Sequence, residues 1–129
     1  MMEFENNALF WQKVDAIFMS GDYKTIYKKG TVHPHYRDLV FPADYGHVMS
    51  EKGNDEEPEL KVFKGNKGYS AQAIVICANI LEKTVSSLVL IGLSEEEIQD
   101  VLHFLNGNEF QKTVIIRKGR SIPSWATAE

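Results

Sequence analysis

The side chains able to do chemistry are concentrated between Lys28 and Glu59, in three short segments. The first, Lys28-Lys29-Gly30-Thr31-Val32-His33-Pro34-His35-Tyr36-Arg37, places cations, imidazoles and a phenol on a turn-rich stretch. Arginine offers a planar fork of donors, lysine a point charge, and histidine or tyrosine a tunable hydrogen bond, a set suited to an anionic ligand. In the second, Phe41-Pro42-Ala43-Asp44-Tyr45-Gly46-His47, extended backbone would point Tyr45 and His47 to one side while Gly46 permits a sharp turn. Lys29, His33, His35, Arg37, Tyr45 and His47 are therefore expected to approach one open face and bind phosphate there. The third, Gly53-Asn54-Asp55-Glu56-Glu57-Pro58-Glu59, carries hard carboxylate oxygens suited to Mg²⁺ or Ca²⁺, with Asp55, Glu57 and Glu59 as metal candidates. It lacks the alternating ligands of an EF-hand, and Pro58 interrupts it. The plain alternative for each segment is a solvated surface loop.

These segments need elements to position them. Phe10, Val14, Ile17 and Phe18 recur at helical spacing before Gly21, which predicts an amphipathic helix over 7–20. Ser94 followed by Glu97 makes a capping box, and Ile98, Val101, Leu102 and Leu105 continue a second helical stripe over 94–106. Between and after them, short β-branched and aromatic runs predict strands at 23–28, 38–41, 60–63, 69–80, 87–91 and 112–117. Two helices bracketing a strand meander do not alternate as a doubly wound sheet would. The expected fold is mainly β with flanking helices, an α+β chain built on a small antiparallel barrel, with one domain over 1–129. Its predicted core contains Ile74, Val75, Ile76, Val89, Leu90 and Ile115.

Composition narrows the function classes. With 43% hydrophobic and 25% charged residues the chain has globular character. A formal charge of -4 removes the incentive for general nucleic-acid binding, which needs clustered Lys and Arg. No apolar run reaches the roughly 20 residues of a membrane span, and the first residues lack a secretory pattern, so a soluble cytoplasmic protein is expected. Cys77, the single cysteine, lies in an apolar run and reads as a buried small hydrophobe in a reducing compartment. His103 reads as a helix-flank or core histidine, and Trp125 in the tail needs a partner surface or stays exposed. A homo-oligomer is left open.

The stretch His33-Pro34-His35-Tyr36-Arg37-Asp38-Leu39-Val40-Phe41-Pro42-Ala43-Asp44-Tyr45-Gly46-His47 resembles the soluble inorganic pyrophosphatases, particularly their short bacterial homologues. In that family Tyr-Pro is followed by Asn-Tyr-Gly-Tyr or Asp-Tyr-Gly-Tyr, then an Asp-rich metal loop and further barrel strands. Here Phe41 and His47 stand at the outer aromatic positions. The resemblance runs over about 23–118 and rests most on Pro-x-Asp-Tyr-Gly. It implies an OB-like barrel, Lys29 as a phosphate lysine, Tyr45 and Asp55 in the catalytic set, and Mg²⁺ as cofactor if the chain is active.

The same resemblance exposes departures. The family loop reads Asp-Gly-Asp-x-x-Asp. Here Asp55 occupies one ligand position, the first Asp becomes Gly53 or Asn54, and the last falls near Glu59, Leu60 or Lys61. The second family motif, two Asp then Lys, has no counterpart in Glu82-Lys83-Thr84-Val85-Ser86-Ser87. Pyrophosphate hydrolysis needs several metals to generate hydroxide and offset phosphate charge. The implied function is an inorganic pyrophosphatase-like hydrolase with weak or lost activity, whose partners are pyrophosphate, phosphate or a small phosphorylated ligand. The alternative is a non-catalytic module on the same fold, binding a phosphorylated ligand or a protein and needing no cofactor. A rewired single-metal site at Asp44, Asp55 and Glu57 is a third reading.

Overall fold

A computed structural model describes residues 6–49 and 60–119. The chain forms α1 (Ala8–Ser20), β1 (Asp22–Tyr27), β2 (Asp44–Met49), β3 (Leu60–Lys64), β4 (Ala71–Asn79), β5 (Thr84–Ile91), α2 (Glu95–Leu105) and β6 (Gln111–Arg117). The strands make one six-stranded sheet in the order β1-β2-β3-β5-β4-β6. All neighbours pair antiparallel except β3 and β5, which run parallel with Val62 opposite Val89.

The mainly β, two-helix character expected from the sequence is present. Closure into a barrel is not: β1 and β6 stand at opposite ends of the strand order, so among the described residues the sheet is open. The physical reason lies in the alternation of side chains across the strands. Phe63, Leu88 and Leu90 turn to one face and pack with Ile98, Val101 and Leu105 of α2. Val62, Val89 and Ile91 turn to the other and pack with Trp11, Val14 and Phe18 of α1. With a helix on each face, the apolar surface is buried without curling the sheet on itself. Of the predicted core, Val75, Val89 and Leu90 are buried, whereas Ile74, Ile76 and Ile115 are only half-buried.

Both helices form where the periodicity places them. In α2 the capping box is complete: Ser94 Oγ accepts the Glu97 N–H at 3.1 Å and Glu97 Oε1 accepts the Ser94 N–H at 2.8 Å. The buried stripe of α1 is rotated from the expected one. Ala8, Trp11, Val14 and Phe18 are buried, while Phe10 is 46% and Ile17 39% exposed. Trp11 brings the largest apolar surface and anchors its indole N–H on Asn6 Oδ1 at 2.6 Å, so burying it turns Phe10 and Ile17 outward.

The strand expected at 38–41 is absent. Residues 28–43 instead form an arm over the α2 face, tied by one bridge between Val32 and Val40. Its hydrogen bonds include Gly30 N–H to the Phe41 carbonyl and His33 N–H to the Leu39 carbonyl, both at 2.8 Å. Leu39 gives its own N–H to the Tyr36 carbonyl at 3.0 Å, a turn contact that breaks the ladder, and Pro34 and Pro42 have no donor with which to extend it. The sequence pattern also missed β2 as a strand, because Gly46 suggested a turn. No helix among the described residues is long and apolar enough to cross a membrane.

Candidate functional site

A cavity of about 600 Å³ opens between the arm, the C-terminal end of α2 and the facing strands. Its wall is an aromatic cluster. Phe41 stacks on Tyr27 at 4.7 Å between ring centroids and meets Phe104 at 4.6 Å, while Tyr45 and Phe63 are 5.1 Å apart. Sheet pairing explains this convergence: Tyr27, Tyr45 and Phe63 are successive partners across β1, β2 and β3 on one face. Phe41 drops onto them from the arm and Phe104 from α2.

The polar groups are arranged around that wall. Tyr45 Oη lies 3.2 Å from His47 Nε2, the two side chains sharing a face of β2 as the alternation predicts. Burial pushes the Tyr45 phenol up to about 12, with the nearby Cys77 and tyrosines adding to the shift, so it is a neutral hydroxyl at physiological pH. His33 lies parallel to Phe41, its ring centre 5.9 Å away. Its Nδ1 accepts the backbone N–H of His35 at 3.0 Å and of Tyr36 at 3.3 Å. Burial, with repulsion from His35, lowers the His33 pKa from the ordinary histidine value. Cys77 sits buried in the wall as expected; desolvation raises its thiol pKa, while the positive Lys61 opposes the shift.

The structure brings part of the expected site together. His33, His35 and Tyr45 line the cavity, and His47 joins through Tyr45. Lys29 and Arg37 are not among the lining residues. Lys29 donates its backbone N–H to Asp44 Oδ1 at 2.9 Å and extends its ammonium to within 3.9 Å of Glu97 on α2. Arg37 is exposed on the arm, and His103 is exposed in the last turn of α2. Asp55, Glu57, Glu59 and Trp125 lie outside the described residues. Lys61, which the resemblance set near the last metal position, lines the cavity, and sequence reasoning passed over Asn79, Ser86, Asn108 and Gln111 as site residues, although they supply much of the polar lining. The strand alternation places Lys61 on the same face as Phe63, but nothing in the sequence ties Asn108 and Gln111 to the distant Tyr45.

Among the described residues no group of three or more His, Cys, Asp or Glu could hold a metal ion. The described lining contains one carboxylate, Glu82, and it shares the cavity with the cationic Lys61. These residues alone do not fit a cluster of Mg²⁺ ions, each of which needs carboxylates to offset its dehydration. Gly46 has a different task from the one its sequence suggested. It is an interior strand position where an added Cβ would sit 2.3 Å from the Lys24 carbonyl oxygen and 2.8 Å from the Tyr23 ring, so its missing side chain lets Tyr23 lie across the β1–β2 pair.

Comparison with protein-family models, with curated proteins and with solved structures returns no match for this chain.

Proposed function

We propose that the chain is a non-catalytic or very weakly catalytic relative of the inorganic pyrophosphatases, whose cavity binds a small oxyanion-bearing ligand such as a phosphorylated metabolite. The carrying observation is the composition of the cavity: Lys61, His33, His35 and the neutral Tyr45 hydroxyl face it, against the single described carboxylate Glu82. Such a lining favours an anion over a dication, because a lysine ammonium attracts phosphate and repels Mg²⁺. Descent of the sheet from the OB-like pyrophosphatase type, pyrophosphate and phosphate as ligands, and a cytoplasmic location belong to the same proposal. They are supported by the Pro42-Ala43-Asp44-Tyr45-Gly46 motif and by the single reduced cysteine.

The test is calorimetric titration of the protein with phosphate and pyrophosphate, without divalent metal, in wild type and in Lys61→Met and Tyr45→Phe variants. Removing the charge at Lys61 is expected to weaken binding at least tenfold, and removing the Tyr45 hydroxyl to weaken it severalfold. Binding equally strong in Lys61→Met, or absent from the wild type, overturns the reading.

A further inference from the structure

Resting on that reading, we infer that the ligand is a nucleotide, with its ring on the aromatic wall and its phosphate toward Lys61. The first reason is size. A cavity of about 600 Å³ belongs to the range that accommodates whole organic ligands, and a phosphate ion leaves most of it unfilled. The second is the wall itself, where the half-buried Tyr27, Tyr45 and Phe104, packed around the buried Phe41, line the cavity with aromatic surface against which a flat ring can pack.

The third reason is a group of three amides at the end of the cavity remote from β3. Asn79 on β4 pairs with Gln111 on β6, and Asn108 precedes β6. Each amide has one atom committed to the backbone. Asn79 Oδ1 accepts the Glu82 N–H at 2.9 Å. Asn108 Oδ1 accepts the N–H of Phe110 at 2.8 Å and of Gln111 at 3.0 Å. Gln111 Nε2 donates to the Leu105 carbonyl at 2.8 Å. These bonds fix which way each amide is turned. Among the described residues they leave the two asparagine Nδ2 groups as donors and Gln111 Oε1 as an acceptor. A nucleobase edge, which carries acceptors and donors side by side in fixed positions, complements that mixture better than a phosphate, which is mainly an acceptor.

The fourth reason is span. Lys61 is on β3 and Gln111 on β6, three strand spacings or about 14 Å across the sheet and, because the pairing sets Lys61 level with Ile115, four residues or about 13 Å along it. An inorganic phosphate or pyrophosphate engages one end only. A ligand with a ring, a sugar-length spacer and a terminal phosphate engages both.

The experiment titrates the protein with cytidine, uridine, adenosine and guanosine monophosphates, with the four nucleosides, and with inorganic phosphate. Asn79→Ser and Asn108→Ser are the diagnostic variants, because a serine hydroxyl can still accept the local backbone N–H while the amide donor is removed. At least one monophosphate is expected to bind tenfold or more tighter than phosphate. The two variants should weaken that monophosphate about tenfold and leave phosphate affinity unchanged, whereas a merely structural defect would lower both. Nucleotides binding no tighter than phosphate, or variants that do not discriminate, overturn the nucleotide assignment while a Lys61-dependent phosphate signal keeps the oxyanion reading. Loss of every signal, phosphate included, overturns both.

Discussion

His33 caps the turn that follows it: its Nδ1 accepts the backbone N–H of His35 at 3.0 Å, and the Tyr36 N–H reaches the same atom at 3.3 Å. An imidazole can fill this role only with Nδ1 unprotonated, so the proton of the neutral ring sits on Nε2. The contact joins a titratable side chain to the conformation of the arm that roofs the cavity.

A pH dependence follows. Burial and the neighbouring His35 set the folded pKa of His33 below its ordinary value of 6.5. The unfolded chain then takes up its proton first, so stability rises with pH across that interval. The contribution is present above the unfolded value and is lost as pH falls through the folded one. His33→Asn supplies a non-titrating side-chain oxygen that can accept the same N–H groups in an Asx turn. Urea denaturation at a series of pH values should show the wild type losing stability below pH 6.5 more steeply than His33→Asn; parallel curves would remove His33 from the account.

Gly46 gives the second prediction. Because an added Cβ would meet the Lys24 carbonyl oxygen at 2.3 Å and the Tyr23 ring at 2.8 Å, Gly46→Ala must push β1 from β2 or displace the ring. Overpacking of this kind costs about 1–3 kcal/mol. Combining it with Tyr23→Ala removes the ring but leaves the backbone carbonyl in the way, so only part of that cost should be recovered in a double-mutant cycle. Urea midpoints of the single and double variants measure both numbers, and an unchanged midpoint in Gly46→Ala contradicts the packing described.

How much of this was legible in the sequence depends on how local each signal was. The capping box at Ser94 and the β-branched run through Ala71–Asn79 are carried by residues close in the chain, and a helix and a strand form there as read, although alternation along the strand leaves Ile74 and Ile76 half-buried where a continuous core was expected. The stripe of α1 misled because Phe10 and Trp11 compete for the same buried place, and their order is decided by the sheet and by Asn6, not by helical period. The segment 38–41 has strand-like composition, yet its pairing is broken by the Tyr36–Leu39 turn and by prolines on both sides. Tyr45 and His47 share a face because alternation within one strand requires it. Lys29 went elsewhere because Asp44 and Glu97, far from it in sequence, bind its backbone and its head. The aromatic wall was invisible for the same reason: Tyr27 and Phe63 stand in separate predicted strands and Phe104 in the second helix, and only the β1–β2–β3 register and the approach of α2 make them one surface.

The last prediction concerns turnover. In-line attack on pyrophosphate requires metal-bound hydroxide and dications that stabilise the charge developing on the leaving phosphate. Each Mg²⁺ must give up water to bind, and closely placed carboxylates make up that loss. The described lining supplies Glu82 alone and sets Lys61 in the same cavity, where a positive charge raises the cost of binding any dication. Further ligands would have to come from outside the described residues, where Asp55, Glu57 and Glu59 are the expected candidates and Pro58 restricts the backbone between the last two. Phosphate release from pyrophosphate at neutral pH should therefore stay close to the uncatalysed background with Mg²⁺, Mn²⁺ or Zn²⁺, and Asp55→Ala should not change it. Lys61→Asp, which exchanges the repelling charge for a ligand, should raise Mg²⁺ affinity measured by calorimetry even if turnover stays low. Rapid wild-type hydrolysis abolished by Asp55→Ala would mean that Asp55 belongs to a working metal centre, and the enzyme reading would replace the binding one.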